Sequence, residues 1–252
     1  MTKKLVDKSN NLKITQLFKA TLRTWKADFN NFSKVILVIA LPAAIVNILQ
    51  NQGLIGEYGL ILSLAWSFVI IAVLLMGLNK RQLKDIRLST VFTASSARLL
   101  QYLGVSLVLI IFALPAIVGL LGLFLALPVF GISPWLFVPL GSAGLILGAY
   151  LLCRYAITQT IAVSTPSSII SSFKQSAKLT KGNRLRILIG YLVLFTVMLI
   201  VLVAVQFLLG LNQSINENAF IGGAIYAIEA VVLVPIFFVF QVKIYEFLNE
   251  KA

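Results

Sequence analysis

The sequence predicts an all-α, polytopic membrane protein, and three observations carry this prediction. The chain has 252 residues, of which 60% are hydrophobic and only 12% are charged, too few to cover the surface of a water-soluble domain. The apolar residues form long runs of the length that crosses a bilayer. The basic residues lie in zones between these runs, which is typical of cytoplasmic segments.

The apolar runs predict six transmembrane helices. A helix that crosses the hydrocarbon core of a bilayer needs roughly 20 apolar residues. The runs cover residues 34–48, 58–78, 102–126, 132–153, 186–210 and 220–242. We expect residues 13–252 to form a single membrane domain, preceded by a polar cytoplasmic tail at residues 1–12.

The distribution of charge predicts the orientation of these helices. Every Lys and Arg falls within one of four zones, 3–34, 80–98, 154–186 and 243–251. The turns at the opposite ends of the apolar runs contain neither residue type. By the positive-inside rule, the four zones and both termini are cytoplasmic. The formal net charge of +13 therefore follows from topology, and no nucleic-acid partner is expected.

Three amphipathic segments each precede a pair of apolar runs. Their apolar residues recur at steps of three and four with polar or basic residues on the other side, which predicts helices lying on the cytoplasmic membrane surface. They cover about 13–31, 89–99 and 166–181. The segments align around Phe18, Phe92 and Phe173, which favours three pseudo-repeats of one surface helix and two spans. The alternative is that any amphipathic helix before a span would align in this way.

The third amphipathic segment leads into the fifth span through a predicted joint. Thr165 is a suitable N-cap with Pro166 in the first helical position. Gly182 can adopt the left-handed conformation that ends a helix, and Asn183 can cap the next one. The residues predicted to face the membrane are Ile169, Ile170, Phe173 and Ala177.

Six basic residues around this joint have no acid among them, and we call them the basic cluster. They are Arg154, Lys174, Lys178, Lys181, Arg184 and Arg186. Their simplest role is topology and attraction to anionic headgroups, at about 1 kcal/mol per charge. The sharper hypothesis is a headgroup pocket, because Gly182 and Asn183 leave backbone N–H groups at a helix start. Both interpretations make anionic phospholipids at the cytoplasmic face the expected partners.

Glu229 is an ionisable residue within the sixth apolar run. A charged group at such a depth costs about 2.5–3.5 kcal/mol on insertion scales, so it should face the bundle interior. Gln206 lies at a comparable depth in the fifth run and Tyr226 lies one helical turn from Glu229. One interpretation is a proton-binding or substrate-binding acid. The other is a protonated carboxyl that joins the helices by a hydrogen bond to Gln206 or Tyr226.

The sequence offers no constellation for catalysis. It contains no histidine, and its eight acidic residues are scattered, so neither an acid–base pair nor a carboxylate cluster for a metal is apparent. The single cysteine, Cys153, lies near the end of an apolar run, as a small hydrophobic residue would. We therefore predict no catalytic residue, no metal and no cofactor.

Two passages resemble a known family. The first is I-T-Q-L-F-K-A-T-L-R-T-W-K-A-D-F-N-N-F, before the first span. The more specific is the pattern S-x-x-L-T-K-G-N, formed by Ser176, Leu179, Thr180, Lys181, Gly182 and Asn183. Both resemble the membrane domain attached to some bacterial glycerophosphoryl diester phosphodiesterases, which also occurs alone. The resemblance implies a bacterial cell membrane and a phospholipid setting without catalysis, since a separate soluble domain performs hydrolysis in that family.

The expected function is non-enzymatic. The protein would organise or sense phospholipids, or form the membrane part of a larger assembly with another membrane protein. One alternative is a transporter or permease subunit, in which Pro42, Pro115 and Pro235 would mark broken helices around a transport site. A second alternative is an intramembrane lipid enzyme that acts through Glu229 or Tyr226.

Overall fold

The computed structural model describes residues 13–51, 59–78, 88–125, 134–165, 167–208 and 219–250, and these residues are helical throughout apart from short turns. The helices in chain order are α1 (Ile14–Asn51), α2 (Gly59–Leu78), α3 (Leu88–Ser96), α4 (Leu99–Leu125), α5 (Pro134–Arg154), α6 (Thr158–Ser164), α7 (Ile169–Leu179), α8 (Arg184–Leu208) and α9 (Ala219–Asn249). The predicted all-α class is confirmed.

Four stretches of the described chain are long and apolar enough to cross a membrane. They are Leu99–Leu125, Phe137–Ser164, Arg184–Ala204 and Ala230–Asn249. Their length and composition are those of membrane-spanning helices, in agreement with the predicted membrane protein. The second stretch passes beyond Cys153, where the sequence pattern predicted its end, because α6 adds a further apolar turn after α5.

Helix α1 combines the first predicted surface helix and the first predicted span. A kink separates the two parts at Asp28, whose backbone angles (φ −114°, ψ 15°) are not helical. By contrast, α1, α4 and α9 continue through Pro42, Pro115 and Pro235. The transporter alternative expected these prolines to mark broken helices, but none of the three breaks its helix.

The core is built around α9. On one side, Val239 and Val242 of α9 are fully buried with Phe32 and Ile36 of α1 and with the inward face of α2. On another side, Phe240 packs against Phe18 of α1, with 5.0 Å between ring centroids, in a second cluster that includes α6 and α8. In the apolar window of α9, 61% of the residues are buried, against 6% in α4. Helix α9 is therefore the central element, and α4 lies at the periphery.

Glycines bring the backbones of α4 and α5 unusually close together. A Cβ atom added to Gly144 would lie 2.7 Å from the carbonyl oxygen of Pro115, and one added to Gly119 would lie 2.6 Å from that of Gly141. A Cβ atom on Gly148 would overlap Ala116. Small residues at four-residue spacing permit such close packing of membrane helices. The α4–α5 hairpin is thus held by backbone proximity.

A charged side chain is buried where α1 meets α9. Lys243 is only 4% exposed, and its Nζ donates a hydrogen bond to Oε2 of Glu246 at 3.2 Å. Asp28, at the kink of α1, lies near the same ammonium. Partial burial raises the pKa of the Asp28 carboxyl above its ordinary value, and the charge of Lys243 opposes this shift. The α1–α9 contact around Lys243 therefore depends on charge compensation as well as on apolar packing.

Candidate functional site

Helix α7 satisfies the open end of α5. The last carbonyl groups of a helix have no partner within that helix, and an unpaired carbonyl is costly in a membrane protein. The carbonyl oxygen of Arg154, the last residue of α5, accepts from the Ser176 hydroxyl at 3.2 Å. The Thr180 hydroxyl lies 3.0 Å from the same oxygen and shares its proton with the carbonyl of Ser176. Ser176 of α7 and Thr180, the residue that follows α7, therefore cap α5 from the side.

Ser168, and not Thr165, is the N-cap of α7. The Ser168 hydroxyl accepts from the backbone N–H of Ser171, and its backbone is extended. Thr165 instead ends α6, because its N–H donates to the carbonyl of Ile161. The predicted cap was wrong because several hydroxyl residues occur before the first apolar turn, and sequence spacing did not distinguish among them.

The joint between α7 and α8 has the predicted glycine conformation. Gly182 has a φ of 85°, in the left-handed region that favours glycine, and this prediction is confirmed. Asn183 lies immediately before α8, and its carbonyl accepts from the N–H of Ile187 at 2.9 Å. Its side-chain Oδ1 is buried without a hydrogen-bond partner. Asn183 thus occupies the capping position, but its side chain does not form the capping hydrogen bond.

The apolar face of α7 packs against protein instead of lipid. Phe173 is buried, and its ring centroid lies 5.1 Å from that of Tyr155 and 5.6 Å from that of Phe112. Ile169 packs against the same group. The prediction that Phe173 and Ile169 face the membrane was therefore wrong, because an amphipathic pattern does not distinguish a lipid surface from a protein surface. Ile170 is exposed and lies on the same face of the helix as Lys174 and Lys178.

The basic cluster divides into two groups. Lys174, Lys178 and Lys181 are exposed on the outer side of α7 and in the turn after it. Arg154, Arg184 and Arg186, which we call the arginine group, are half-buried at the facing ends of α5 and α8. No carboxylate of the described chain forms an ion pair with any member of the arginine group.

Each member of the arginine group has a buried guanidinium nitrogen without a hydrogen-bond partner. These atoms are Arg154 Nε, Arg184 Nε and Arg186 Nη1. Arg184 also donates through Nη1 to the hydroxyl of Tyr150 at 2.8 Å, and its guanidinium lies 5.0 Å from the centroid of that ring. This contact joins the end of α5 to the start of α8. The group therefore presents unsatisfied N–H donors at a fixed position in the fold.

A cavity of about 360 Å³ extends between α4, α5, α6, α8 and α9, within the range of roughly 300–1,000 Å³ typical of ligand pockets. Most of its lining is leucine, alanine and phenylalanine. The lining residues with polar atoms are Cys153, Tyr155, Gln159, Tyr191 and Gln241. Gln241 is 7% exposed, and its Oε1 has no partner. The Tyr191 hydroxyl is buried beside the Gln241 side chain, which is its hydrogen-bonding neighbour in the cavity wall.

The cavity opens towards the lipid-facing surface. Leu152 of α5 and Leu192 and Phe195 of α8 line it, and all three side chains are exposed. In a membrane-spanning bundle, such exposed leucine and phenylalanine side chains meet acyl chains. The opening is therefore lateral, between α5 and α8, and the arginine group lies at the adjoining ends of these helices, the end of α5 and the start of α8.

The sequence pattern did not identify this cavity. Gln159 and Gln241 are polar residues within apolar stretches, which is the signal that could have found them. Gln159 is engaged, since its Nε2 lies 3.3 Å from the hydroxyl of Tyr102 and 3.2 Å from that of Ser106. The buried Cys153 lines the cavity as a small apolar residue would.

The predicted intramembrane polar site stays a prediction. Gln206 lies in α8, and Tyr226 and Glu229 lie in α9, but their side chains are outside the part of the chain that the structure describes. Within the described part, no three His, Cys, Asp or Glu side chains are grouped in a way that could hold a metal ion.

The fold and these contacts define an all-helical membrane protein with a lipid-facing cavity and a group of arginines at the ends of the two helices that flank its opening. A scan against models of protein families and searches of curated proteins and of solved structures found no match.

Removal of the two capping hydroxyls is expected to destabilise the joint. In Ser176→Ala/Thr180→Val, the carbonyl of Arg154 loses both donors, and an unsatisfied buried acceptor costs about 1–3 kcal/mol. The matched control is Thr196→Val, whose hydroxyl bonds only to Leu192 within its own helix. That variant should change the free energy of unfolding by less than about 0.5 kcal/mol. Thermal unfolding in detergent measures both, and equal losses would contradict the capping role.

Proposed function

We propose that this protein is a non-enzymatic, multi-pass protein of a bacterial cell membrane that binds anionic phospholipids at its cytoplasmic face. The observation that carries the proposal is the arginine group. A buried N–H without an acceptor costs about 1–3 kcal/mol, and each of the three arginines at the ends of α5 and α8 has such an atom. A phosphodiester headgroup supplies charged oxygen acceptors, and the planar guanidinium is the side chain that matches phosphate best.

The proposed topology has six spans with both termini and the basic cluster in the cytoplasm. The second half of α1 and most of α2 add two apolar helices to the four described spans. The positive-inside distribution of Lys and Arg supports the orientation. Three pseudo-repeats are supported by order along the chain, because the first part of α1, α3 and α7 each precede two long apolar helices.

We also propose kinship with the membrane domain of the glycerophosphoryl diester phosphodiesterases. The support is that residues of the S-x-x-L-T-K-G-N pattern have identifiable structural roles in this chain. Ser176 and Thr180 cap α5, and Gly182 supplies the left-handed turn before α8. These contacts position Arg154 and Arg184 at facing helix ends. The pattern would then maintain the geometry of the arginine group, which suits a phospholipid-binding role.

The test compares two pairs of charge removals. Arg184→Gln/Arg186→Gln removes two half-buried charges, and the matched control Lys174→Gln/Lys178→Gln removes two exposed ones. Each full-length protein is extracted gently, exchanged into mixed lipids and examined by native mass spectrometry for retained phosphatidylglycerol, cardiolipin and phosphatidylethanolamine. We expect the arginine variant to lose one anionic class selectively, by about tenfold, which corresponds to about 1.4 kcal/mol.

The lysine variant should lower all anionic lipids slightly and evenly, with no selective loss of that class, because exposed charges act only through the general surface potential. Uniform losses in both variants would leave electrostatic attraction alone and contradict a specific site. Retention of no anionic lipid by the unchanged protein would contradict the proposed function itself.

A further inference from the structure

We infer that the cavity between α5 and α8 holds one acyl chain of the anionic phospholipid whose headgroup the arginine group binds. The protein would then bind a single glycerophospholipid of the cytoplasmic leaflet. One acyl chain of this lipid would leave the bilayer and lie between the helices. This inference rests on the proposed function, and it adds the position of the tail and the requirement for a chain-bearing ligand.

The first support is that headgroup and tail sites share two helices. Arg154 directly follows Cys153, which lines the cavity. Arg184 begins α8, which continues to Tyr191 and Phe195 in the cavity wall. The hydrogen bond from Arg184 to Tyr150 crosses the gap between these same helices. The arginine group therefore lies at the end of the opening through which a chain would enter.

The second support is the order of polarity along α8. Helices rise 1.5 Å per residue, so Phe195 lies roughly 16 Å along the axis from Arg184. Between them, roughly 10 Å from Arg184 along the axis, Tyr191 contributes a buried hydroxyl beside the Gln241 side chain. The cavity wall thus changes from cationic to hydrogen-bonding to apolar, which is the order of headgroup, glycerol esters and acyl chain in one phospholipid.

The third support is Gln241. Its side chain is more than nine-tenths buried, it lines the cavity, and its Oε1 has no partner. A polar atom buried in this state is destabilising unless something completes its hydrogen bonding. Water bound at the ester groups of a phospholipid can donate to Gln241 Oε1, and the Tyr191 hydroxyl can donate to an ester carbonyl. A purely apolar occupant would leave Gln241 Oε1 unsatisfied.

A second cavity of similar size provides the comparison. It measures about 390 Å³ and lies between α2, α8 and α9, with Trp66, Leu202 and Ala230 in its wall. No Lys, Arg or Gln is among its lining residues. If any gap of this volume in the bundle collected a lipid tail, both cavities would do so equally. The inference predicts that only the cavity beside the arginine group selects a chain with an anionic headgroup.

The experiment uses phosphatidylglycerol with a photoactivatable diazirine in one acyl chain. The full-length protein in nanodiscs is irradiated, digested and analysed by mass spectrometry. We expect crosslinks to the wall of the cavity in α5 and α8, around Leu152 and Leu192. Phosphatidylcholine with the same labelled chain should crosslink there about tenfold less. Equal crosslinking by the neutral lipid, or no crosslink in this wall, would overturn the inference.

Two filling variants complete the test. Ala149→Leu fills the proposed tail cavity, and the matched control Ala230→Leu fills the second cavity. We expect Ala149→Leu to reduce crosslinking and retention of phosphatidylglycerol about tenfold, because the chain loses apolar contact area, and Ala230→Leu to leave both unchanged. If Ala149→Leu retains the lipid and the arginine variant loses it, the tail site is wrong and the headgroup site stands. The crosslinks of the unchanged protein decide the question should either variant fail to fold.

Discussion

Glu246→Leu is expected to be among the most destabilising single substitutions in the described chain, at about 3–5 kcal/mol. The substitution removes the carboxylate that accepts from Lys243 Nζ at 3.2 Å. Because the Lys243 side chain is 3% exposed, water cannot replace that carboxylate without opening the contact between α1 and α9. The ammonium must then stay buried with less compensation, or lose its proton. Thermal unfolding of the purified protein, followed by tryptophan fluorescence, measures the loss.

The matched control for Glu246→Leu is Glu250→Leu, which removes the same charge from an exposed position just after α9. That variant should shift the free energy of unfolding by less than about 0.5 kcal/mol. The double variant Lys243→Met/Glu246→Leu should recover most of the loss, since apolar residues of similar volume often replace a buried ion pair at little cost. A double variant as unstable as the single one would show that the pair contributes through shape and not through charge compensation.

Gly144→Ala is expected to force α4 and α5 apart. The new Cβ would lie 2.7 Å from the carbonyl oxygen of Pro115 and 3.0 Å from the Cα of Gly119. Both are backbone atoms, so no side chain can rotate away to make room. Overpacking of this kind typically costs about 1–3 kcal/mol, and the rigid contact places the expected loss at the upper end. Loss of helix pairing should also appear as earlier aggregation in detergent.

The control for Gly144→Ala is Gly122→Ala in the same hairpin. Its Cβ would lie 3.4 Å from the nearest atom, the Cα of Gly141, which is an ordinary contact distance. Alanine is also a better helix former than glycine by up to about 1 kcal/mol. Gly122→Ala should therefore be neutral or stabilising in the same unfolding measurement. Equal destabilisation by both changes would contradict the close approach at Gly144.

Local patterns predicted the helices well because helical periodicity and helix ends are properties of neighbouring residues. The left-handed Gly182 was readable in this way. The sequence did not predict which helices contact one another. Ser176 and Thr180 bond to Arg154, far away in the sequence, and no spacing rule reports such a contact. Phe173 shows the same limit, since an apolar helix face fits a membrane or a protein equally well.

The candidate site likewise contains features that the sequence predicts and features that depend on tertiary contacts. Its charged residues could be predicted, because a run of Lys and Arg without acids is visible in the sequence. The motif Gly144-x-x-x-Gly148 was also visible, but the identity of its partner on α4 was not. The cavity could not be predicted because five helices contribute to it. Gln241 is informative only once its neighbours are known, since one glutamine in an apolar run is compatible with a boundary or with a site.

The pairing of α1 with α9 has a consequence for biosynthesis. Phe32 and Ile36 are buried against Val239 and Val242, yet the ribosome makes these two pairs of residues at widely separated times. At roughly 5–20 residues per second, α9 follows α1 by about 10–40 s. During that interval the face of α1 that α9 will cover has lipid, the insertion machinery or earlier helices as its neighbours. The α4–α5 hairpin, by contrast, can close as soon as α5 is made, so a stalled chain would hold a finished hairpin beside an unfinished core.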